Sequence, residues 1–307
     1  MEFLRFLEAL RTPLLDCVMS VVTAFGGETV FMLAAMAAYW CYDKRFGYYI
    51  MSTGFIGTVL NQFFKLIFHV PRPWVLDGRF TIVESAREGA TGYSFPSGHT
   101  QNAVTVFGTT ARWTRRPAIR IAALILIVLV AFSRMYLGVH TPADVLFSLA
   151  LGAALTLVLY PLFRTEKTAR TNILLFGGML FAAVLYVLFL EFYSFPSWLD
   201  AENFAAAKKN AYTLAGAVLG LCAGYPVEKR FVRFSTHAPW WGQLLKLTLG
   251  AACMVLLQSL LKEPLYALFS GHNAADAMRY FIMVFFAMAV WPAAFPLFRV
   301  RSAKEKR

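Results

Sequence analysis

Three stretches of this chain, Ile121–Phe132, Val145–Phe163 and Ile173–Leu190, contain no charged residue at all. Runs of this kind approach the roughly 20 residues that carry a helix across a bilayer core. They limit the fold more than any other feature. Of the 307 residues 59% are hydrophobic and 15% charged, where a soluble domain carries about a quarter charged. With a mean hydropathy of +0.57, the chain reads as an all-α polytopic membrane protein.

The formal charge of +12 would suggest a nucleic-acid partner in a soluble protein. In a membrane protein, cytoplasmic loops collect Lys and Arg, and no basic patch interleaved with aromatics is present. No nucleic-acid partner is expected. Cys17, Cys41, Cys222 and Cys253 stand singly in or beside apolar stretches, where free Cys acts as a small hydrophobe. Neither a disulfide framework nor a zinc site is expected. The start, Met1-Glu-Phe-Leu-Arg-Phe-Leu-Glu8, lacks the pattern of a cleaved signal peptide. No Asn-x-Ser/Thr sequon occurs, which fits a bacterial source.

Apolar runs and polar breaks give ten expected spans, near 12–26, 28–42, 47–69, 98–113, 118–138, 142–163, 171–193, 207–226, 243–262 and 276–298. With the N-terminus inside, the inner loops carry Arg5 and Arg11; Lys44 and Arg45; Arg112, Arg115, Arg116 and Arg120; Arg164, Lys167 and Arg170; Lys229, Arg230, Arg233 and Lys246; and Arg299, Arg301, Lys304, Lys306 and Arg307. That is 20 of the 29 Lys and Arg, and it favours cytoplasmic N- and C-termini in a bacterial inner membrane. A polar break at Arg164–Arg170 separates six helices from about four, setting a core of 1–165 against an extension of 166–307.

Ionisable residues beside membrane spans default to function, and three groups of them fall on the outer side of this map. Lys65, Arg72 and Pro73 close the third span, Pro96-Ser97-Gly98-His99 opens the fourth, and Ser133-Arg134 with His140 and Asp144 joins the fifth to the sixth. His140 and Asp144 are four apart, so they share a helix face. A carboxylate on one imidazole nitrogen sets the tautomer and frees the other nitrogen for attack. The same residues also read as a helix start, with Thr141 as cap, Pro142 first and Asp144 three after the cap. Gly98 admits an anion to a helix N-terminus, Ser97 adds a hydroxyl or caps the helix, and His99 is a candidate general acid. Lys65, Arg72 and Arg134 suit a phosphoryl group's equatorial oxygens, although each alone could snorkel to the interface. The loop from Trp74 to Phe95, with Asp77, Arg79, Glu84, Arg87 and Glu88, is either a binding loop or a solvated connector.

These three groups resemble the signature of the type 2 phosphatidic acid phosphatase superfamily, K-x6-R-P, P-S-G-H and S-R-x5-H-x3-D, at every specified position and in the same order. The resemblance covers about the first 165 residues. It implies a six-helix core and a metal-independent lipid phosphatase without a cofactor, acting on a lipid phosphomonoester or pyrophosphate at the outer face. His140 would be the nucleophile that forms a phosphohistidine, Asp144 its orienting group and His99 the acid. Lys65, Arg72, Ser97, Gly98 and Arg134 would bind the phosphate. Pro13-Leu-Leu-Asp16, Gly26-Gly-Glu28 and Tyr39–Arg45 are similar to the branch holding sphingosine-1-phosphate phosphatases and their bacterial relatives. A phosphotransferase using the same histidine is the alternative. A transporter is a weaker one, because no paired halves with interrupted helices are visible. The second half carries no motif with a chemistry; supporting the core, a homodimer contact and a lipid entry route are all open to it.

Overall fold

The structure is a computed structural model that describes residues 1–87, 89–165, 169–195 and 200–298. Glu88, Lys167, Arg299, Arg301, Lys304, Lys306 and Arg307, all counted above, lie outside the described residues. Among the described residues every regular element is a helix.

Proline and hydroxyl side chains set the helix starts. Helices α1 (Glu2–Ala9), α2 (Pro13–Ala24) and α3 (Glu28–Ala37, running on through a π-turn to Tyr42) come first. Then follow α4 (Lys44–Phe68), the short α5 (Pro73–Leu76), α6 (Gly98–Ala103), α7 (Thr109–Trp113) and α8 (Pro117–Tyr136). The chain continues with α9 (Pro142–Arg164), α10 (Ala169–Phe192), α11 (Ala201–Val227), α12 (Trp240–Leu268), α13 (Ala274–Phe285) and α14 (Trp291–Ala293). Pro13, Pro73, Pro117 and Pro142 each occupy a first helical position, where the missing N–H has no helical partner to lose.

Two compact units share the chain. The first comprises Met1–Met32, Tyr49–Thr165 and Tyr193–Ala207; the second comprises Leu33–Tyr48, Glu166–Phe192 and Lys208 onward. In the second unit, Lys44 pairs with the buried carboxylate of Glu228. Lys246 is buried beneath the Phe295 ring and donates to the Thr236 carbonyl at 3.1 Å. Near Glu191, Lys208 Nζ lies 2.8 Å from one carboxylate oxygen and Tyr212 Oη 3.2 Å from the other.

Among the described residues six helices are long and apolar enough to cross a membrane: Lys44–Leu76, Pro117–Tyr136, Pro142–Arg164, Arg170–Phe192, Trp240–Leu268 and Ala274–Ala293. A seventh arises if α2 and α3 count together, since they pass jointly with a bend of 43°. The expected spans at 12–26 and 28–42 are therefore the two arms of one bent pair. Residues 98–113 form a continuous helix too short for that test, with a π-turn at Val104–Gly108 in its middle.

The bend moves the N-terminus. Its close neighbours are the loops around the three motifs. Leu4 and Leu7 of α1 are buried, Arg5 pairs with Asp77, and the Glu8 carboxylate accepts from the Thr81 N–H at 2.8 Å. Arg11 donates from Nη1 to the Thr81 carbonyl at 2.8 Å and from Nε to the Tyr136 carbonyl at 3.0 Å. The N-terminus thus shares the face of Tyr136 and His140, whereas the charge count had set it on the opposite one. A 43° bend at Phe25–Gly27 does not reverse the chain, so one crossing disappears from the count.

Membrane-impermeant maleimide checks this side assignment in a chain freed of its four native cysteines. Glu2→Cys and Arg79→Cys are expected to label from one side of sealed vesicles, and Arg115→Cys from the other. Labelling of Glu2→Cys together with Arg115→Cys would overturn it.

Candidate active site

The last turn of α8, the start of α9 and the Ser97 cap of α6 converge in the first unit. At the close of α8 the chain folds back on itself: the Val139 and His140 N–H groups donate to the Arg134 carbonyl at 3.2 and 3.3 Å. Gly138 makes the turn at φ +81°, and a Cβ there would lie 2.6 Å from Arg11 Nη2. Only glycine suits that position. The turn delivers His140 to the interior at 2% exposure.

Asp144 caps the helix start and also faces His140. Its N–H donates to Thr141 Oγ1 at 3.3 Å, while its Oδ2 accepts from the Thr141 N–H at 2.7 Å, so the capping box forms. The same Oδ2 accepts from Ser94 Oγ at 2.6 Å and lies 3.4 Å from His140 Nδ1. On the other side of the ring, Arg72 Nη1 is 3.1 Å from Nε2. A guanidinium only donates. Nε2 is therefore the acceptor, and the ring proton sits on Nδ1, facing Asp144. Burial first, then the charges of Arg72, Arg134 and Lys65 with His99 beside them, hold the His140 imidazole well below the usual histidine range. It is neutral at neutral pH, and its contact with Asp144 is no ion pair.

The three cations do not snorkel. Lys65, Arg72 and Arg134 are 7%, 6% and 1% exposed. Lys65 donates to the Tyr93 carbonyl. Arg72 donates to the carbonyls of Thr91 at 2.7 Å, Gly92 at 3.0 Å and Val139 at 2.9 Å. Arg134 has one partner, Thr23 Oγ1 at 2.7 Å from Nη1; its Nε and Nη2 have no acceptor among the described residues. Orphaned buried donors cost about 1–3 kcal/mol each, so this guanidinium is suited to an anion. His99 lies within electrostatic reach of all three cations, with the Gly89 backbone passing beside its ring.

Ser97 caps α6, accepting from the Thr100 N–H at 3.4 Å, and its own N–H donates to the Asp144 carbonyl at 3.3 Å. All eight residues singled out by the motifs, Lys65, Arg72, Ser97, Gly98, His99, Arg134, His140 and Asp144, lie in this one region of the first unit.

Pattern-reading missed the peptide Thr91-Gly92-Tyr93-Ser94. It supplies three carbonyls to Lys65 and Arg72 and the hydroxyl on Asp144, while the Ser94 N–H donates to the Val70 carbonyl at 2.8 Å. Backbone acceptors leave no residue-type signal, and a single Ser in a loop is ordinary. The loop before it is anchored as well. Ala86 and Ala90 pack with Tyr136, Leu137 and Val139, and the Val83 N–H donates to the Leu137 carbonyl at 3.1 Å. Thr23 and Gly26 were also missed as neighbours of the site.

Residues 44–168 match the family described as PAP2 superfamily, and residues 212–305 match its phosphatase transmembrane extension. An undecaprenyl-diphosphatase of Bacillus subtilis is 30% identical over 143 residues, 45% of this chain and 70% of that relative. Phosphatidylglycerophosphatase B of the same organism is 31% identical over 159 residues, covering 48% and 74%. Glucose-6-phosphatase 3 of Mus musculus is 25% identical over 324 residues, covering 92% and 88%. No solved structure matches the chain.

Gly26 reports on the packing of this region. A Cβ there would fall 2.6 Å from the His99 carbonyl oxygen and 2.8 Å from Val130 Cγ1. Gly26→Ala is expected to destabilise the protein by about 1–3 kcal/mol, read as an earlier denaturation midpoint in detergent. Gly177→Ala, with open space around it in α10, should be neutral or mildly stabilising; equal midpoints for the two variants would refute the close approach at Gly26.

Proposed function

The chain belongs to the PAP2 superfamily, and on that premise we propose that it is a lipid phosphatase that works through a phosphohistidine on His140. Membership makes it a phosphoric ester hydrolase and an integral membrane protein. The observation that carries the finer reading is the buried Arg134 with two unpartnered donors, beside a neutral His140 whose Nε2 is an acceptor.

The phosphate of the substrate sits among Lys65, Arg72 and Arg134, with Ser97, Gly98 and the start of α6 as further donors. Those cations meet the charge spread over the equatorial oxygens in transfer. Arg72 Nη1 turns from His140 Nε2 to the phosphate, and the freed lone pair attacks phosphorus as the ester P–O bond breaks. Burial and the charges of Arg134, Arg72 and Lys65 hold His99 well below the usual histidine range in the free site. The negative charge of the bound phosphate offsets those cations, so His99 takes up a proton with the substrate and gives it to the departing oxygen. Asp144 steadies the positive charge that develops on the imidazole, its 3.4 Å contact tightening as the proton on Nδ1 grows more acidic. A water then gives a proton to His99 and attacks the phosphohistidine, releasing phosphate and restoring the neutral ring. The cations supply the charge stabilisation that a metal would otherwise bring.

Orientation follows from the basic loops. With Arg5 and Arg11 on the face of the site, the opposite loops still carry 18 of the 29 Lys and Arg. The positive-inside rule therefore favours an outer-facing site, in a bacterial inner membrane if the source is bacterial. Residues 1–165 hold the catalytic residues, and the remainder is an extension.

Two of the relatives are named for lipid-linked phosphates or diphosphates. A second reading, a sugar phosphate monoester, draws on the match to glucose-6-phosphatase 3 along 92% of the chain. Phosphate release from undecaprenyl diphosphate, phosphatidylglycerophosphate, phosphatidate, a sphingoid-base phosphate and glucose 6-phosphate separates the two. Lipid phosphates are expected to be hydrolysed with the highest kcat/KM, in excess EDTA, with inhibition by vanadate. His140→Ala should lower turnover on the order of a thousandfold or more. Activity retained in that variant would sink the mechanism, and phosphoryl transfer to an added alcohol without free phosphate would point to a phosphotransferase.

A further inference from the structure

Resting on that reading, we infer that Thr23 of α2 is a positioning residue of the phosphate site. It turns the free edge of the Arg134 guanidinium onto the phosphoryl oxygens.

A guanidinium holds its five N–H donors in a rigid fork, and two neighbouring nitrogens along one edge can serve two oxygens of a phosphate at once. In Arg134 the donors without an acceptor among the described residues are Nε and Nη2, which lie along such an edge. Nη1, off that edge, is the nitrogen tied down, donating to Thr23 Oγ1 at 2.7 Å. The tether fixes the group and spares the pair of donors that a phosphate takes. Arg134 is 1% exposed, so solvent does not serve the edge instead.

Lys65 and Arg72 are held differently. Backbone carbonyls accept from both, and a carbonyl is present whatever the residue. The acceptor for Arg134 is a side-chain hydroxyl, so its aim depends on the residue type at one position. A hydroxyl is neutral and leaves the attraction for an anion intact, which a carboxylate at residue 23 would cancel.

The helix that carries Thr23 is moored along α8. Asp16, seven residues earlier and on the same side of α2, accepts from the Tyr136 hydroxyl at 2.8 Å. Gly26, two residues past the helix, packs so closely that a Cβ would fall 2.8 Å from Val130 Cγ1 and 2.6 Å from the His99 carbonyl oxygen. Tyr136, Arg134 and Val130 all belong to α8. Segments 13–16 and 26–28 thus bracket Thr23 and hold it to α8, and a change of side chain at residue 23 alters the tether without releasing the helix. Thr23 precedes residues 44–168 and lies outside the stretch that matches the family.

Orthovanadate binding to the purified full-length protein, followed by calorimetry beside phosphate release, tests the role. Thr23→Val keeps the shape of the side chain and removes the hydroxyl. It is expected to weaken vanadate about 3- to 10-fold and to lower kcat/KM by a similar factor. Thr23→Ser keeps the acceptor and should bind within about twofold of the parent. Thr12→Ala removes the hydroxyl that accepts from the Leu15 N–H at the start of the same helix. It should lower the denaturation midpoint and leave vanadate affinity unchanged. Parent-like affinity in Thr23→Val overturns the inference, and so does a Thr23→Ser as weak as Thr23→Val. If Thr23→Val does not fold, Thr23→Ala read against Thr23→Ser decides, equal affinities counting against the role. A parent that binds vanadate but releases no phosphate from any substrate would count against the functional reading, and the binding series would still decide the role of Thr23.

Discussion

Everything at this site depends on keeping three positive charges buried side by side. Lys65, Arg72 and Arg134 are almost without solvent, and like charges in a poorly polarisable interior repel strongly. The fold answers with backbone. Four carbonyls accept from Lys65 and Arg72, leaving Arg134 with the spare donors. A carbonyl carries a dipole but no net charge, so it holds a cation in place without cancelling it. Carboxylates in the same positions would cancel the attraction for a phosphate. Among the described residues the one acid in the cluster, Asp144, is placed behind His140 instead.

That need accounts for the loop between α5 and α6. A loop with no packing of its own could not present three consecutive carbonyls. Ala86 and Ala90 embed its middle against Tyr136, Leu137 and Val139, and Arg5 and Glu8 of α1, with Arg11 just after it, hold its early part at Asp77 and Thr81. The amphipathic N-terminal helix therefore serves the site although none of its residues enters it. The bend at Phe25–Gly27 makes this reach available, because it leaves α1 on the site's own face and brings Gly26 against the His99 carbonyl.

The residues that gather at the site were legible in the sequence and much of their support was not, for a physical reason. Lys65, Arg72, His99, Arg134, His140 and Asp144 stand out because ionisable side chains are costly in an apolar chain, and helix starts at Pro117 and Pro142 are written in residue type. The Thr91–Ser94 peptide works through backbone oxygens, which every residue has. The span count erred at 12–42 because a Gly-Gly break reads equally as a reversal or as a modest bend, and hydropathy cannot tell 43° from a hairpin. With one crossing lost, the side of the N-terminus changed as well.

The Asp144 carboxylate shows why a structural and a functional reading of one motif need not compete. Its Oδ2 receives the Thr141 N–H, the Ser94 hydroxyl and the proximity of His140 Nδ1. The first bond caps the start of α9, the second ties in the loop, and the third faces the ring proton. A carboxylate oxygen that already accepts two hydrogen bonds is a weaker base, so it orients the imidazole proton without taking it. The proton then stays on Nδ1 and the lone pair on Nε2, where Arg72 Nη1 meets it at 3.1 Å. The helix cap therefore also fixes the carboxylate that the Nδ1 proton faces.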